Sequence, residues 1–135
     1  MNNLGDVLRE LGDLAGARAC FERALKIDEA AYGPNHPNVA IYINNLGLVL
    51  KELGDLAGAR AYYEWALKID EAAYGPNHPT VAIRINNLGD VLRELGDLAG
   101  ARAQYQRALR IFRELFGDDH PDTKTVKNNL TSLSN

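Results

Sequence analysis

The chain has 135 residues, 46% hydrophobic and 24% charged, with a formal net charge of −3. That is one domain's worth of globular sequence: no apolar run approaches the roughly 20 residues that a bilayer span needs, and the acidic balance excludes nucleic acid as the main ligand, because phosphate binding needs a clustered positive field. Cys20 stands alone, which excludes an internal disulfide and a cysteine zinc site.

Met1 is followed by polar residues rather than by an apolar signal segment, and with one cysteine the expected setting is reduced and cytoplasmic. Asn2-Asn3-Leu4-Gly5 opens a first helix expected near 1–11, and a second is expected near 14–32. From Pro37, a residue suited to a first helical position, Val39, Ile43, Leu46, Val49, Leu50 and Leu53 recur at spacings of three and four. This is an amphipathic helix near 37–53, which Gly54 stops, while Asp55 can cap the next. Leu56, Ala59, Tyr63, Ala66, Leu67, Ile69 and Ala73 carry a helix near 56–74 that Gly75-Pro76 ends. The same punctuation places helices near 79–95, 98–116 and 121–133. No strand pattern competes, so the fold class is all-α and a propeller of similar period is excluded.

The elements repeat every 42 residues: Asn2-Asn3-Leu4-Gly5 returns as Asn44-Asn45-Leu46-Gly47 and Asn86-Asn87-Leu88-Gly89, then fades to Asn128-Asn129-Leu130-Thr131. Residues 2–43 and 44–85 are identical at 35 of 42 positions, a self-similarity that marks a stacked repeat array. The joint Gly33-Pro34-Asn35-His36-Pro37 recurs at Gly75 and, altered, at Gly117-Asp118-Asp119-His120-Pro121. The expected organisation is one array: repeat 1 over 1–36 with a truncated first helix, repeat 2 over 37–78, repeat 3 over 79–120, and a capping half repeat over 121–135. Polar Lys124, Lys127, Thr131 and Ser132 suit a solubilising terminus. Near-identical neighbouring repeats fit recent duplication, a natural fragment or an engineered array alike.

Leu46-Gly47, Leu50, Ala59, Tyr63 and Ala66, with their counterparts in repeats 1 and 3, resemble the tetratricopeptide repeat. The physics agrees, since Gly47 and Ala59 are small where two helices must approach closely and Tyr63 can fill the gap between units. A period of 42 rather than the usual 34 or so, with Gly-Pro-Asn-His-Pro between units, is similar to the repeats of kinesin light chains and their bacterial relatives. The resemblance implies a right-handed α-solenoid of antiparallel helix pairs, a superhelix with the first helix of each pair lining a concave groove. It also implies a protein or extended peptide as partner.

Groove-facing positions would then be Ile41, Asn44, Asn45, Leu48, Lys51 and Glu52, with Asn2, Asn3, Asp6, Arg9 and Glu10 in repeat 1 and Ile83, Asn86, Asn87, Asp90, Arg93 and Glu94 in repeat 3. In the light-chain type an asparagine ladder holds the main chain of a peptide, and Asn3, Asn45, Asn87 and Asn129 match that ladder. Asn offers both a donor and an acceptor, so it suits a peptide backbone. Asn in a helix interior is otherwise a mediocre choice, and the competing reason for each pair is a bond across to the neighbouring helix. Arg9, Lys51 and Arg93 form a second ladder that favours an acidic residue or a carboxylate, unless Glu10, Glu52 and Glu94 neutralise it. A carboxylate clamp of the chaperone-binding kind would need basic residues at Asn2, Ile83 and Asn87 and asparagines at Asp6 and Asn45. Only Asn45 agrees, so chaperone tails are not the expected ligand.

Repeat 2 departs by gaining apolar surface: Asp6, Cys20 and Arg23 become Leu48, Tyr62 and Trp65, and Tyr42 stands where repeat 3 has Arg84. Leu48 would give the groove an apolar pocket. Tyr62 and Trp65, three apart on one helix face, read either as a contact for another molecule or as packing over the groove between repeats.

His36, His78 and His120 each occupy the same joint, too regular and too separated to converge on a metal, so local capping is their expected role. No phosphate loop and no nucleophile–base arrangement with a credible third member is present; no cofactor and no catalysis are expected. Two functional readings stand: a module binding an extended peptide along the asparagine ladder, and a structural unit that forms a homo-oligomer through its open ends or the Tyr62/Trp65 face.

Overall fold

Glycines with positive φ recur every 21 residues, at Gly12, Gly33, Gly54, Gly75, Gly96 and Gly117, so each 42-residue repeat is two half-steps that each end in a left-handed turn. The computed structural model describes residues 3–133, which form seven helices and no strand: α1 Asn3–Glu10, α2 Leu14–Tyr32, α3 Pro37–Glu52, α4 Leu56–Tyr74, α5 Pro79–Glu94, α6 Leu98–Phe116 and α7 Pro121–Leu133. Met1, Asn2 and the side chain of Asn3 lie outside the described residues.

The turns are of two kinds. After α3, the Asp55 N–H reaches back to the Leu50 carbonyl at 2.8 Å and the Gly54 N–H to Lys51 at 3.1 Å, a double closure that needs glycine at the left-handed position. The same pair of bonds follows α1 and α5. This closure takes Leu11, Leu53 and Leu95 into the turn, one residue short of the ends predicted from periodicity. Asp13, Asp55 and Asp97 then cap the second helices, each accepting from the N–H three residues on at 2.9 Å. After the second helices a single bond closes the turn, as from the Gly33 N–H to Glu29 at 2.8 Å.

Histidine caps the first helices. His36, His78 and His120 each accept at Nδ1 from the N–H two residues on, at 3.0–3.1 Å. Each imidazole also stacks on the aromatic that ends the preceding helix: Tyr32 at 4.6 Å, Tyr74 at 4.4 Å and Phe116 at 4.4 Å between centroids.

The residues fall into two compact units, Met1–Ala73 and Tyr74–Asn135. In the first, α2 packs on α1 and α3, and a buried cluster joins Ala17, Phe21 and Leu25 to Val39, Ile43, Leu46, Val49, Ala66 and Ile69. In the second, α6 packs on both α5 and α7, with Tyr105, Ala108 and Ile111 buried alongside Val81, Ile85, Val91 and Val126. Both units use glycine to bring helices close: a Cβ on Gly47 would stand 2.7 Å from Tyr63 Cε1, and one on Gly89 2.7 Å from Tyr105 Cε1.

Candidate functional site

The first helices present the residues singled out as groove-facing. Ile41 and Ile83 are 45% and 43% exposed, an unusual state for isoleucine near the start of a packed helix. Asn44, Asn45, Leu48 and Lys51 of α3, and Asn86 and Asn87 of α5, are half-buried. In α7, Asn128 is exposed and Asn129 half-buried.

The asparagines do not stand alone. Asn129 donates from Nδ2 to Oδ1 of Asn86 at 3.0 Å, which links the second asparagine of one pair to the first of the preceding pair. Asn44 and Asn87 are likewise not without partners. In the Asn86–Asn129 bond one amide hydrogen and one oxygen are engaged; Asn129 Oδ1 and the Asn86 amide group keep hydrogen-bonding capacity.

The basic ladder is largely engaged by acids. Arg9 Nη1 lies 3.0 Å from Glu52 Oε1, so the neutralising glutamate belongs to the next repeat. Arg93 lies 3.8 Å from Asp90, 3.4 Å from Ser132 Oγ and 6.0 Å from the Tyr105 ring centroid. Lys51 has no ion-pair partner among the described residues. Sequence reasoning missed the third member of the Arg93 group: the Tyr105 hydroxyl donates a short hydrogen bond to Asp90 Oδ1. Burial, then the Asp90 carboxylate, pushes that hydroxyl's pKa well above its ordinary value. The signal was the co-occurrence of tyrosine and aspartate at these positions; repeat 1 has Phe21 with Asp6, and repeat 2 has Tyr63 with Leu48.

Tyr62 and Trp65 stack with centroids 6.1 Å apart. Both are half-buried, and with Tyr42 they pack onto the buried cluster of the first unit. Burial and the Asp28 carboxylate raise the pKa of the Tyr42 hydroxyl.

Two hollows flank these elements. In repeat 1 a cavity of about 190 Å³ is lined by Leu4, Gly5, Cys20, Phe21, Arg23, Ala24 and Ile27. Leu4, Val7 and Ile27 are 64%, 48% and 62% exposed, whereas the matching Leu46, Val49 and Ile69 of repeat 2 are buried. In the second unit a cavity of about 80 Å³ is lined by Ile83, Asn86, Phe112, Asp122, Thr125 and Val126, so it opens beside the first asparagine of the α5 pair. Among the described residues no helix is long and apolar enough to cross a membrane, and no group of three or more histidines, cysteines or acids could hold a metal ion.

Comparison with known proteins supplies the family. Two tetratricopeptide-repeat profiles match, one over residues 1–72 and one over residues 81–122. No curated protein matches. Among solved structures, BtubC (BKLC) from P. vanneervenii is 30% identical over 96% of this chain and 52% of its own, with a TM-score of 0.89. Kinesin light chain nearly identical TPR-like repeats from Podosopora anserina are 16% identical over 98% of this chain and 63% of theirs, with a TM-score of 0.90. The first TPR of Spaghetti (RPAP3), bound to the HSP90 peptide SRMEEVD, is 17% identical over 98% of this chain and 86% of its own, with a TM-score of 0.71. The chain thus spans about half to two thirds of the length of the first two. These likenesses set the fold class as an all-α helical-repeat solenoid. The profile over residues 1–72 alone covers more than half of the sequence, and the chain belongs to the tetratricopeptide repeat family.

Proposed function

We propose that the chain is a non-catalytic module that holds an extended peptide against the exposed face of its first helices, with asparagines of α3, α5 and α7 bonding the peptide main chain. Tetratricopeptide repeats are protein-interaction modules, and the single observation that carries the finer reading is the Asn86–Asn129 pair. Its internal bond fixes both half-buried amides while leaving an acceptor on one and donors on the other, the complement of a peptide N–H and C=O. Neighbouring first helices at ordinary packing distances, about 10 Å apart, would meet roughly every third residue of an extended chain advancing about 3.3 Å per residue. Exposed Ile83, which lines the same hollow as Asn86, supplies apolar contact beside that amide. The mostly engaged arginines make a free C-terminal carboxylate a poor ligand, and the residues of a chaperone-type clamp are absent apart from Asn45. A cytoplasmic setting, consistent with the lone Cys20, belongs to the same reading.

The test is an unbiased peptide-display selection repeated with Asn45→Ala, Asn86→Ala, Asn87→Ala and Asn129→Ala. Selected peptides should lose affinity several-fold on at least the Asn86 and Asn129 variants. A selection indifferent to all four overturns the proposal.

The exposed Leu4, Val7 and Ile27 favour a second reading, self-association through the apolar face of repeat 1. Head-to-tail stacking that placed α7 where α1 lies on α2 is opposed sterically. Thr131 stands at the position of Gly5, where an added Cβ would lie 2.5 Å from Phe21 Cε1. Light scattering across concentrations decides between monomer and two-fold dimer, and Leu4→Glu should abolish any dimer.

A further inference from the structure

We propose that the small hollow between α5, α6 and α7 is a side-chain pocket of the peptide groove, selective for a branched aliphatic residue followed by a basic one. The proposal rests on the peptide-binding reading above. Three positions at this joint differ from their counterparts in a concerted way. Phe112 and Val126 stand where the preceding joint has Asp70 and Arg84, and Asp122 stands where it has Thr80. The floor of the hollow is therefore apolar, with Phe112 and Val126 nearly fully buried, and its rim carries a carboxylate.

Size selects the side chain. A closed cavity near 150 Å³ accommodates benzene, so the open hollow of roughly 80 Å³ here suits a branched aliphatic group better than an aromatic ring. Ile83 and Thr125, both exposed, form the walls, and the Asn86 amide at the edge can hold the main chain of the same residue. Charge selects the neighbour. Asp122 is half-exposed, and its nearest basic group is His120 Nδ1 at 4.0 Å, a nitrogen that already accepts the Asp122 backbone N–H. Among the described residues this carboxylate at the hollow has no lysine or arginine within ion-pair distance, and it complements a lysine or arginine next to the anchored residue.

Extended nonapeptides with a Gly/Ser background and a central Leu-Lys, Leu-Glu, Phe-Lys or Asp-Lys pair test this by calorimetric titration. Leu-Lys should bind at least tenfold tighter than Phe-Lys and Asp-Lys, and several-fold tighter than Leu-Glu at low salt. Thr125→Phe, a change at an exposed position that blocks the mouth without touching the core, should weaken Leu-Lys at least tenfold. Asp122→Asn should erase the difference between Leu-Lys and Leu-Glu. Equal binding of Leu-Lys and Phe-Lys, or indifference to Thr125→Phe, overturns the pocket. If the peptides then still respond to Asn86→Ala, the groove stands without it; if none responds, the groove falls as well.

Discussion

Asn129 bonds Asn86 across 43 residues, one more than the repeat, so the second asparagine of the α7 pair reaches back to the first of the α5 pair. Arg9 and Glu52 are joined by the same offset. Removing either partner of a half-buried hydrogen bond costs about 0.5–1.5 kcal/mol. Asn86→Ala and Asn129→Ala should each destabilise by that amount in urea unfolding, and the double variant should cost little more than either alone. Strict additivity would show that the bond carries no coupling.

Gly47 lies against Tyr63, and an added methyl would meet the buried ring at 2.7 Å. Alanine gains about 1 kcal/mol in helix propensity over glycine, but overpacking a filled core costs about 1–3 kcal/mol. Gly47→Ala should therefore be net destabilising in thermal unfolding, and pairing it with Tyr63→Leu should recover part of the loss. A stabilised Gly47→Ala would mean that Tyr63 moves aside freely.

Thr123 is fully buried, and its hydroxyl has no partner among the described residues. The matching residues in α3 and α5 are Val39 and Val81, both buried. An unsatisfied buried hydroxyl costs about 1–3 kcal/mol, so Thr123→Val should raise the midpoint of denaturation by the equivalent of about 1 kcal/mol or more. The reverse change, Val81→Thr, should lower it.

The helices were readable in the sequence because glycine, aspartate and His-Pro mark every joint, and the structure departs only where the turn recruits Leu11, Leu53 and Leu95. Less readable was the site. Adjacent asparagines look alike in sequence, and only tertiary geometry separates Asn86, which accepts from Asn129, from its neighbour. The basic ladder was visible, whereas the pairing of Arg9 with Glu52 depends on two helices lying side by side. The apolar gain at Tyr62 and Trp65 was plain, but not that both would rest half-buried on the core of the first unit. Phe112 and Val126 could be seen to replace Asp70 and Arg84, yet nothing local says that their side chains line one hollow.

Acid should act on the joint between α6 and α7. Hydrogen bonds from Arg113 at 2.6 Å and from Lys127 at 3.3 Å hold the exposed Asp118 carboxyl below the usual carboxylate value of 3.8. A lowered folded-state pKa contributes stability above the unfolded value, and that stability is lost as pH falls through the folded value. The midpoint of the Asp118 side chain, followed by NMR, should lie below 3.8 and move up toward it in 1 M salt, because exposed ion pairs are screened, as is expected with a Debye length of about 3 Å. Asp118→Asn should remove this part of the acid response.

Peptide binding along the first helices is tested most directly by amide chemical-shift mapping with a display-selected peptide on ¹⁵N-labelled protein. Shifts should concentrate on α3, α5 and α7 around Asn45, Ile83, Asn86, Asn87 and Asn129, and the side-chain amide signals of Asn86 and Asn129 should move together. Shifts confined to α2, α4 and α6, with those side-chain amides unmoved at saturation, would contradict it.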